Sequence, residues 1–299
     1  MSRKCSRRSK QLVDAAQAVG WRSLALRVLT TGDPAGKCAA ALAASAQFAI
    51  EGPIFGGEEI RPPARPARPD RPLLLPPQAA PKRRLGTVEG RAALLHALAH
   101  IELNAIDLAF DMALRFEPEI VSASLDRAGF IADWFRVGAE EARHFTMLDR
   151  RLRDLGSAYG ALPAHGALWE AAEKTADCAL ARLAIAPLVL EARGLDVTPA
   201  LADRLDRAGD HASAAILGTI YADEIRHVAT GLQWFKRLCE VRGLEPVGQF
   251  EALVAARFPG GLKPPFNAAG RAEAGLVESY WRHWNEPCVE SGAQGLGSR

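Results

Sequence analysis

The sequence predicts an all-α protein: a four-helix bundle carrying added N-terminal helices, a Pro/Arg-rich extended arm and C-terminal helices. Three observations lead there. Ala and Leu dominate the apolar residues, and both favour helix. From about Thr87 onward, apolar residues recur at three- and four-residue steps over four long segments, the period of a core-facing helix. No run alternates apolar and polar residues as a half-buried strand would.

From Gln11 to Phe48 the chain reads as two short helices, broken at Thr31-Gly32-Asp33-Pro34, with Asp33 as N-cap and Pro34 at the first helical position. This N-terminal segment, 1–51, gives way to a different one, 52–86. The run RPPARPARPDRPLLLPPQAAPKRR is crowded with Pro, which lacks an amide donor and fixes its backbone angle, so no regular helix survives. It reads as an extended arm packed on the bundle surface and anchored by Leu73, Leu74 and Leu75, with a mobile linker as the alternative. The bundle spans 87–243. Its first helix runs from Thr87 to Phe116 and ends before Pro118. Its second runs from Leu125 to Leu155 and stops at Gly156, a natural C-cap. The third runs from Gly166 to Ala192 and stops at Gly194. The fourth runs from Pro199 to Arg242, with Gly209 as a candidate break, and stops at Gly243. The extension, 244–299, offers helices over Val247–Arg257 and Asn267–Trp284.

Composition narrows the function classes. Hydrophobic residues make up 48% and charged residues 24% of 299, an ordinary globular balance. A net charge of +2 does not mark the whole chain as a polyanion binder. No uninterrupted apolar run reaches bilayer-spanning length, and the basic start MSRKCSRRSK lacks the apolar stretch of a secretory signal. The five cysteines (Cys5, Cys38, Cys178, Cys239 and Cys288) contain no C-x-x-C pair. They fit a reduced, cytoplasmic compartment.

Chemistry concentrates in one constellation. Glu141-Ala142-Arg143-His144 and Glu224-Ile225-Arg226-His227 each place a carboxylate and an imidazole three residues apart, on one helix face. They fall on the second and fourth long helices. The first and third each offer a Glu near mid-helix: Glu102 in HIELNAIDLAFD and Glu191 in PLVLEARG. The order Glu, Glu-x-x-His, Glu, Glu-x-x-His is the ligand set of dinuclear carboxylate bundles. Four carboxylates balance two divalent ions and leave coordination positions open. The expected cofactor is two iron ions, with manganese or a mixed pair using the same ligand types. Any one of these Glu residues would by default be a solvated surface group; four of them with two imidazoles on one core are costly to bury without a counter-ion.

Neighbouring residues are candidates for support. A ligating imidazole usually donates its other N–H to a carboxylate or carbonyl. Glu140 and Asp223 immediately precede the two motif Glu residues, and Arg143 and Arg226 are placed to pair with those acids; plain surface ion pairs are the alternative. Tyr221, one turn before Glu224, is within reach of the site or else a core tyrosine. His100, two residues before Glu102, points to another helix face and reads as a hydrogen-bonded histidine. Pro187, one turn before Glu191, predicts a bend in the third helix.

From Gly90 to Cys239 the chain resembles the DUF455 family of ferritin-like proteins. The segments that carry the resemblance are GRAALLHALAHIELNAIDLAFD, DWFRVGAEEARHF, RRLRDLGSAYGALPAH, LVLEARGLDVTP and DEIRHVATGLQWF, together with the arm and the Pro265-Phe266-Asn267 segment. The resemblance implies a ferritin-like fold and a metal site more than it implies a reaction. The acid-Glu-x-Arg-His form is also similar to bacterial multicomponent monooxygenases, where the leading acid is typically Asp. Asp223 keeps that pattern and Glu140 departs from it by one methylene, so the resemblance carries over to the support of His227 more directly than to that of His144. The wider ferritin-like group includes a tRNA-modifying hydroxylase, which brings an RNA substrate into view.

Four functions compete at this level. An O₂-dependent dinuclear oxidase or hydroxylase, acting on a small-molecule substrate with a separate electron donor, is favoured by the second Glu-x-x-His. Iron handling is disfavoured by the arm and tail. A peroxide-consuming di-manganese or di-iron site, as in manganese catalase or rubrerythrin, is the third, and the lack of rubredoxin-like Cys pairs argues against a self-contained rubrerythrin. Nucleic-acid binding by Arg61, Arg65, Arg68, Arg71, Lys82, Arg83 and Arg84 lacks interleaved aromatics for base stacking, so a solvated or packing arm is expected. The sequence leaves the oligomeric state open.

Overall fold

The computed structural model describes residues 20–55, 60–76 and 84–285. Over these residues the protein is all-α. The order is α1 (Trp21–Thr30), α2 (Pro34–Glu51), α3 (Val88–Ser122), α4 (Arg127–Asp154), α5 (Ala167–Glu173), α6 (Ala179–Ile185), a π-helical turn (Ala186–Glu191), α7 (Ala192–Arg207), α8 (His211–Val241), α9 (Pro246–Arg257), α10 (Ala268–Glu273), a 3₁₀ turn (Glu278–Tyr280) and α11 (Arg282–Asn285). The expected helical start at 11–19, the basic first ten residues, the arm residues Lys82 and Arg83, and Cys5 and Cys288 lie outside the described residues.

Local sequence chemistry sets most boundaries. Asp33, Thr87, Asp126 and Asp210 each cap a helix by accepting a backbone N–H three residues on. Two pairs form the centre: α3 against α4, joined by a four-residue connection, and α7 against α8, joined at 208–210. The α4–α8 contact brings the pairs together, α2 covers α4, and α1 packs on α2 and α3. Phe110, Phe130, Phe135, Trp134 and Trp234 are almost wholly buried between them, with Phe130 edge-on to Trp234 at 5.1 Å. Burial of such a side chain contributes about 1.5–3 kcal/mol.

Several boundaries differ from the expectations. α3 continues through Pro118 to Ser122, because the fully buried Ile120 holds the last turn in the core. The third helix is not continuous over 166–192: residues 174–178 interrupt it. It also does not stop at Gly194 but runs through Gly194 and Pro199 to Arg207. The turn falls instead at Gly209, whose φ of +79° suits glycine, and the fourth helix begins at His211 rather than Pro199. The last segment is not one helix over 267–284. The Leu276 N–H turns back to the Arg271 carbonyl (2.8 Å) and closes α10 early.

The arm is extended, but its leucine side chains do not anchor it. Leu73, Leu74 and Leu75 are 55%, 50% and 39% exposed. The backbone does the holding: Leu75 N–H donates to the Ala164 carbonyl (2.8 Å), and Ala164 N–H donates to the Leu73 carbonyl (3.0 Å). Arg115 also donates to the Pro63 carbonyl (3.0 Å). Among the described residues, α3 is long and apolar enough by composition to cross a membrane, although Glu102 and Asp107 interrupt its apolar run. Most of its apolar window is buried inside the fold, as in a central core helix.

Candidate metal centre

The site is built where α3, α4, the π-turn and α8 meet. Glu141 and His144 share one face of α4, and Glu224 and His227 share one face of α8. Glu102 comes from α3. Glu191 closes the π-turn, which has Pro187 as its second residue. A π-turn inserts an extra residue and rotates the side chains beyond it, and such turns recur at functional sites. Its position is fixed from the far side: a Cβ on Gly231 of α8 would lie 2.3 Å from the Pro187 Cβ, so only glycine admits this approach.

Glu102, Glu141, His144 and Glu224 offer ligand atoms that all lie within 4.8 Å of one another. His144 Nδ1 lies 3.3 Å from Glu102 Oε2 and 3.2 Å from Glu141 Oε2. His227 Nδ1 stands 2.9 Å from Glu141 Oε1 and 3.7 Å from Glu224 Oε2. The two imidazole centroids are 5.8 Å apart. Glu191 sits at the edge, half-buried but with its Oε2 buried, and lines a cavity also lined by Glu102, Glu141 and Glu224.

The outward nitrogens are fully engaged, and the partners are crossed. His144 Nε2 donates to Asp223 of α8 (2.9 Å), whereas His227 Nε2 donates to Glu140 of α4 (2.8 Å). Each acid therefore supports the histidine of the opposite motif. Both rings are supported at similar distances, and the longer Glu140 side chain serves His227 rather than His144. Arg226 binds both acids, pairing with Asp223 and lying 3.4 Å from Glu140; Arg143 reaches Glu140 at 3.5 Å. Tyr221 is not at the site. Its hydroxyl accepts from Asn267 Nδ2 (3.1 Å) in the C-terminal extension. His100 is buried with Nδ1 on the Tyr159 hydroxyl (2.8 Å), a structural histidine as expected.

The inward atoms have the opposite character. Glu141 Oε1, Glu191 Oε2, Glu224 Oε2 and His227 Nδ1 are buried without hydrogen-bond partners, although His227 Nδ1 and Glu141 Oε1 are close. Buried polar atoms left unpaired cost about 1–3 kcal/mol each, more when charged. The charges point the same way. Burial and the Glu141 charge push Glu102 well above the carboxylate range. Burial and the Glu224 charge do the same to Glu191, and burial with Glu141 raises Glu224. For the histidines, burial alone would lower the pKa, but hydrogen bonds to Glu102 and Glu141 raise His144 to about 11, and the charges of Glu141 and Glu224 raise His227. For Glu141, the imidazoles outweigh burial and hold it well below its usual range. The cluster gathers cationic charge in any form, and the residues fit a metal ion: unpaired oxygens and nitrogen point inward while the imidazole N–H groups are tied outward.

An apolar cavity of about 170 Å³ leads to these carboxylates. Leu98, Ile101, Ala105, Leu108, Leu190 and Leu217 line it. Sequence reasoning missed this cavity, the crossed pairing and the buried Lys37–Asp107 ion pair. The one signal for the last was an acid, Asp107, in the otherwise apolar run after Asn104 of α3.

The chain matches the family described as "Protein of unknown function (DUF455)" over residues 30–282. It is similar to a Haemophilus influenzae protein described as "Uncharacterized protein", with 42% identity over 212 residues covering 71% of this chain and 74% of that one. No solved structure matches it. A match over residues 30–282, the candidate ligands included, shows that the chain belongs to the DUF455 family.

Proposed function

We propose that this protein is a ferritin-like dinuclear carboxylate protein that holds two iron ions on Glu102, Glu141, His144, Glu191, Glu224 and His227, and that it is an O₂-dependent oxidase or hydroxylase. The observation that carries this reading is the split between the two sides of the imidazoles. Their Nε2–H groups are committed to Asp223 and Glu140, while His227 Nδ1 and one carboxylate oxygen each of Glu141, Glu191 and Glu224 are buried without hydrogen-bond partners. Two ferrous ions bound there would supply the electrons for O₂ reduction.

The chain's own residues do the rest. Glu141 sits between both histidines, 3.2 Å from His144 Nδ1 and 2.9 Å from His227 Nδ1, and would help to hold the metal. Arg226 fixes Asp223 and Glu140 together, which orients both rings from outside. The leucine-lined cavity keeps bulk water from the carboxylates and admits an apolar small-molecule substrate. Cys38, Cys178 and Cys239 are free thiols, in keeping with a cytoplasmic setting.

The test is anaerobic loading with ferrous iron and then O₂ exposure, read optically and by Mössbauer spectroscopy. A catalytic centre reacts once per site and then stops without an electron donor. Continued linear O₂ uptake at ferrous ratios far above two per chain, with an iron core retained, would assign iron handling instead.

A further inference from the structure

A second cavity, of about 230 Å³, lies between the extended arm and the bundle, and it does not include the carboxylate centre. Its polar wall is made by Lys37 of α2, Arg68 and the exposed Asp70 of the arm, His100 and Asp107 of α3, and Tyr159 from the loop after α4. Leu73, Leu74 and Leu103 supply apolar lining.

The polar wall is unusual in its burial and in what it leaves unpaired. Lys37 has no exposed surface and pairs with Asp107, which is 1% exposed. Burial pushes Lys37 down and Asp107 up to about 6, so the pair is neutral overall whichever partner holds the proton. Arg68 is different. Its Nη2 is buried and has no hydrogen-bond partner among the described residues. His100 is buried too, and its Nε2 is also unpaired. A buried guanidinium N–H without an acceptor is costly, and more so than a neutral donor. Arg61, Arg65 and Arg71 of the same arm are exposed, so the inward position of Arg68 is not a general property of the arm.

We propose that this cavity binds a small monocarboxylate, with the carboxylate on Arg68 and a short apolar tail against Leu73, Leu74 and Leu103. The planar fork of a guanidinium matches two carboxylate oxygens. Lys37 and Asp107 cancel, and Asp70 is exposed at the rim where solvent screens it, so the buried end of the cavity keeps the charge of Arg68, which one carboxylate meets. A phosphate dianion would bring a second negative charge beside Asp107 with no cation to meet it. The apolar lining would also be left without a partner. This inference is independent of the metal reading, since no predicted metal ligand lines the cavity.

The test is calorimetric titration of the full chain with sodium butyrate, with sodium phosphate as comparator. Three proteins are compared: the natural chain, Arg68→Gln, and Arg61→Gln as a control that removes the same charge from an exposed arm position. Circular dichroism checks that each is folded. The expected result is saturable butyrate binding to the natural chain and to Arg61→Gln, and at least tenfold weaker binding to Arg68→Gln. No saturable butyrate binding, equal binding by Arg68→Gln, equal loss in Arg61→Gln, or tighter binding of phosphate than of butyrate would each overturn the proposal.

Discussion

Asp223 supports a histidine on another helix: it accepts from His144 Nε2 at 2.9 Å, although His227 is its neighbour in sequence. Glu140 returns the arrangement by accepting from His227 Nε2 at 2.8 Å. The two motifs are thereby locked to each other across the α4–α8 contact. Asp223→Ala and Glu140→Ala should each lower metal affinity by about 10–100-fold while leaving helicity intact. Competition with a chelator, with circular dichroism on the same samples, measures both; unchanged affinity in both variants would remove the supporting role.

Iron-loaded protein should hold close to two ions per chain. Glu141→Ala and Glu224→Ala should lower that occupancy without unfolding the protein, because each leaves the apolar core in place. Elemental analysis for iron and manganese is the check. Full retention in both variants would sink the ligand assignment.

Metal binding should release protons and strengthen with pH. In the metal-free protein Glu102 and Glu141 hold His144 up at about 11 against 6.5, so an incoming ion displaces a proton there. The sign for folding is the reverse. A raised imidazole pKa contributes stability that is complete below about 6.5 and is lost as pH rises through about 11. Titration between about pH 6 and about pH 8 should therefore show affinity rising. Flat affinity over that window would mean that no imidazole proton is displaced.

Gly231→Ala should destabilise the protein, although alanine is better than glycine in a helix by about 1 kcal/mol. The new Cβ would stand 2.3 Å from Pro187 and push on the π-turn that carries Glu191. A loss of about 1–3 kcal/mol in denaturant unfolding is expected. A gain in stability would show that the turn yields easily.

Asp107→Leu should cost about 3–5 kcal/mol by leaving Lys37 buried and unpaired, whereas Lys37→Met with Asp107→Leu should recover most of that loss. The double-mutant cycle reads the coupling directly. Additive losses would mean that the two side chains do not act as a pair.

The sequence by itself determined the helical class, most helix starts and the six candidate ligands. Those are local matters. A capping Asp, a 3.6-residue apolar period and a Glu-x-x-His spacing each act within a few turns of one chain segment, so they are legible without the fold. The misplaced boundaries came from local rules that packing overrules. Pro118 and Pro199 lie inside helices because buried neighbours such as Ile120 and Leu205 hold the turns around them. Gly194 caps nothing because α7 packs along α8 past it.

Only the tertiary structure decided which acid serves which histidine. Adjacency in sequence put Asp223 with His227, but the outer nitrogen of the His227 ring reaches across to α4 and meets Glu140 there. The outer Nε2 of His144 likewise crosses to α8 and meets Asp223. The same holds for Lys37 and Asp107, seventy residues apart, and for the arm, where backbone bonds to Ala164 rather than leucine burial set the path. Long-range partners of this kind depend on helix rotation and crossing, which a single strip of sequence does not encode in any fixed spacing.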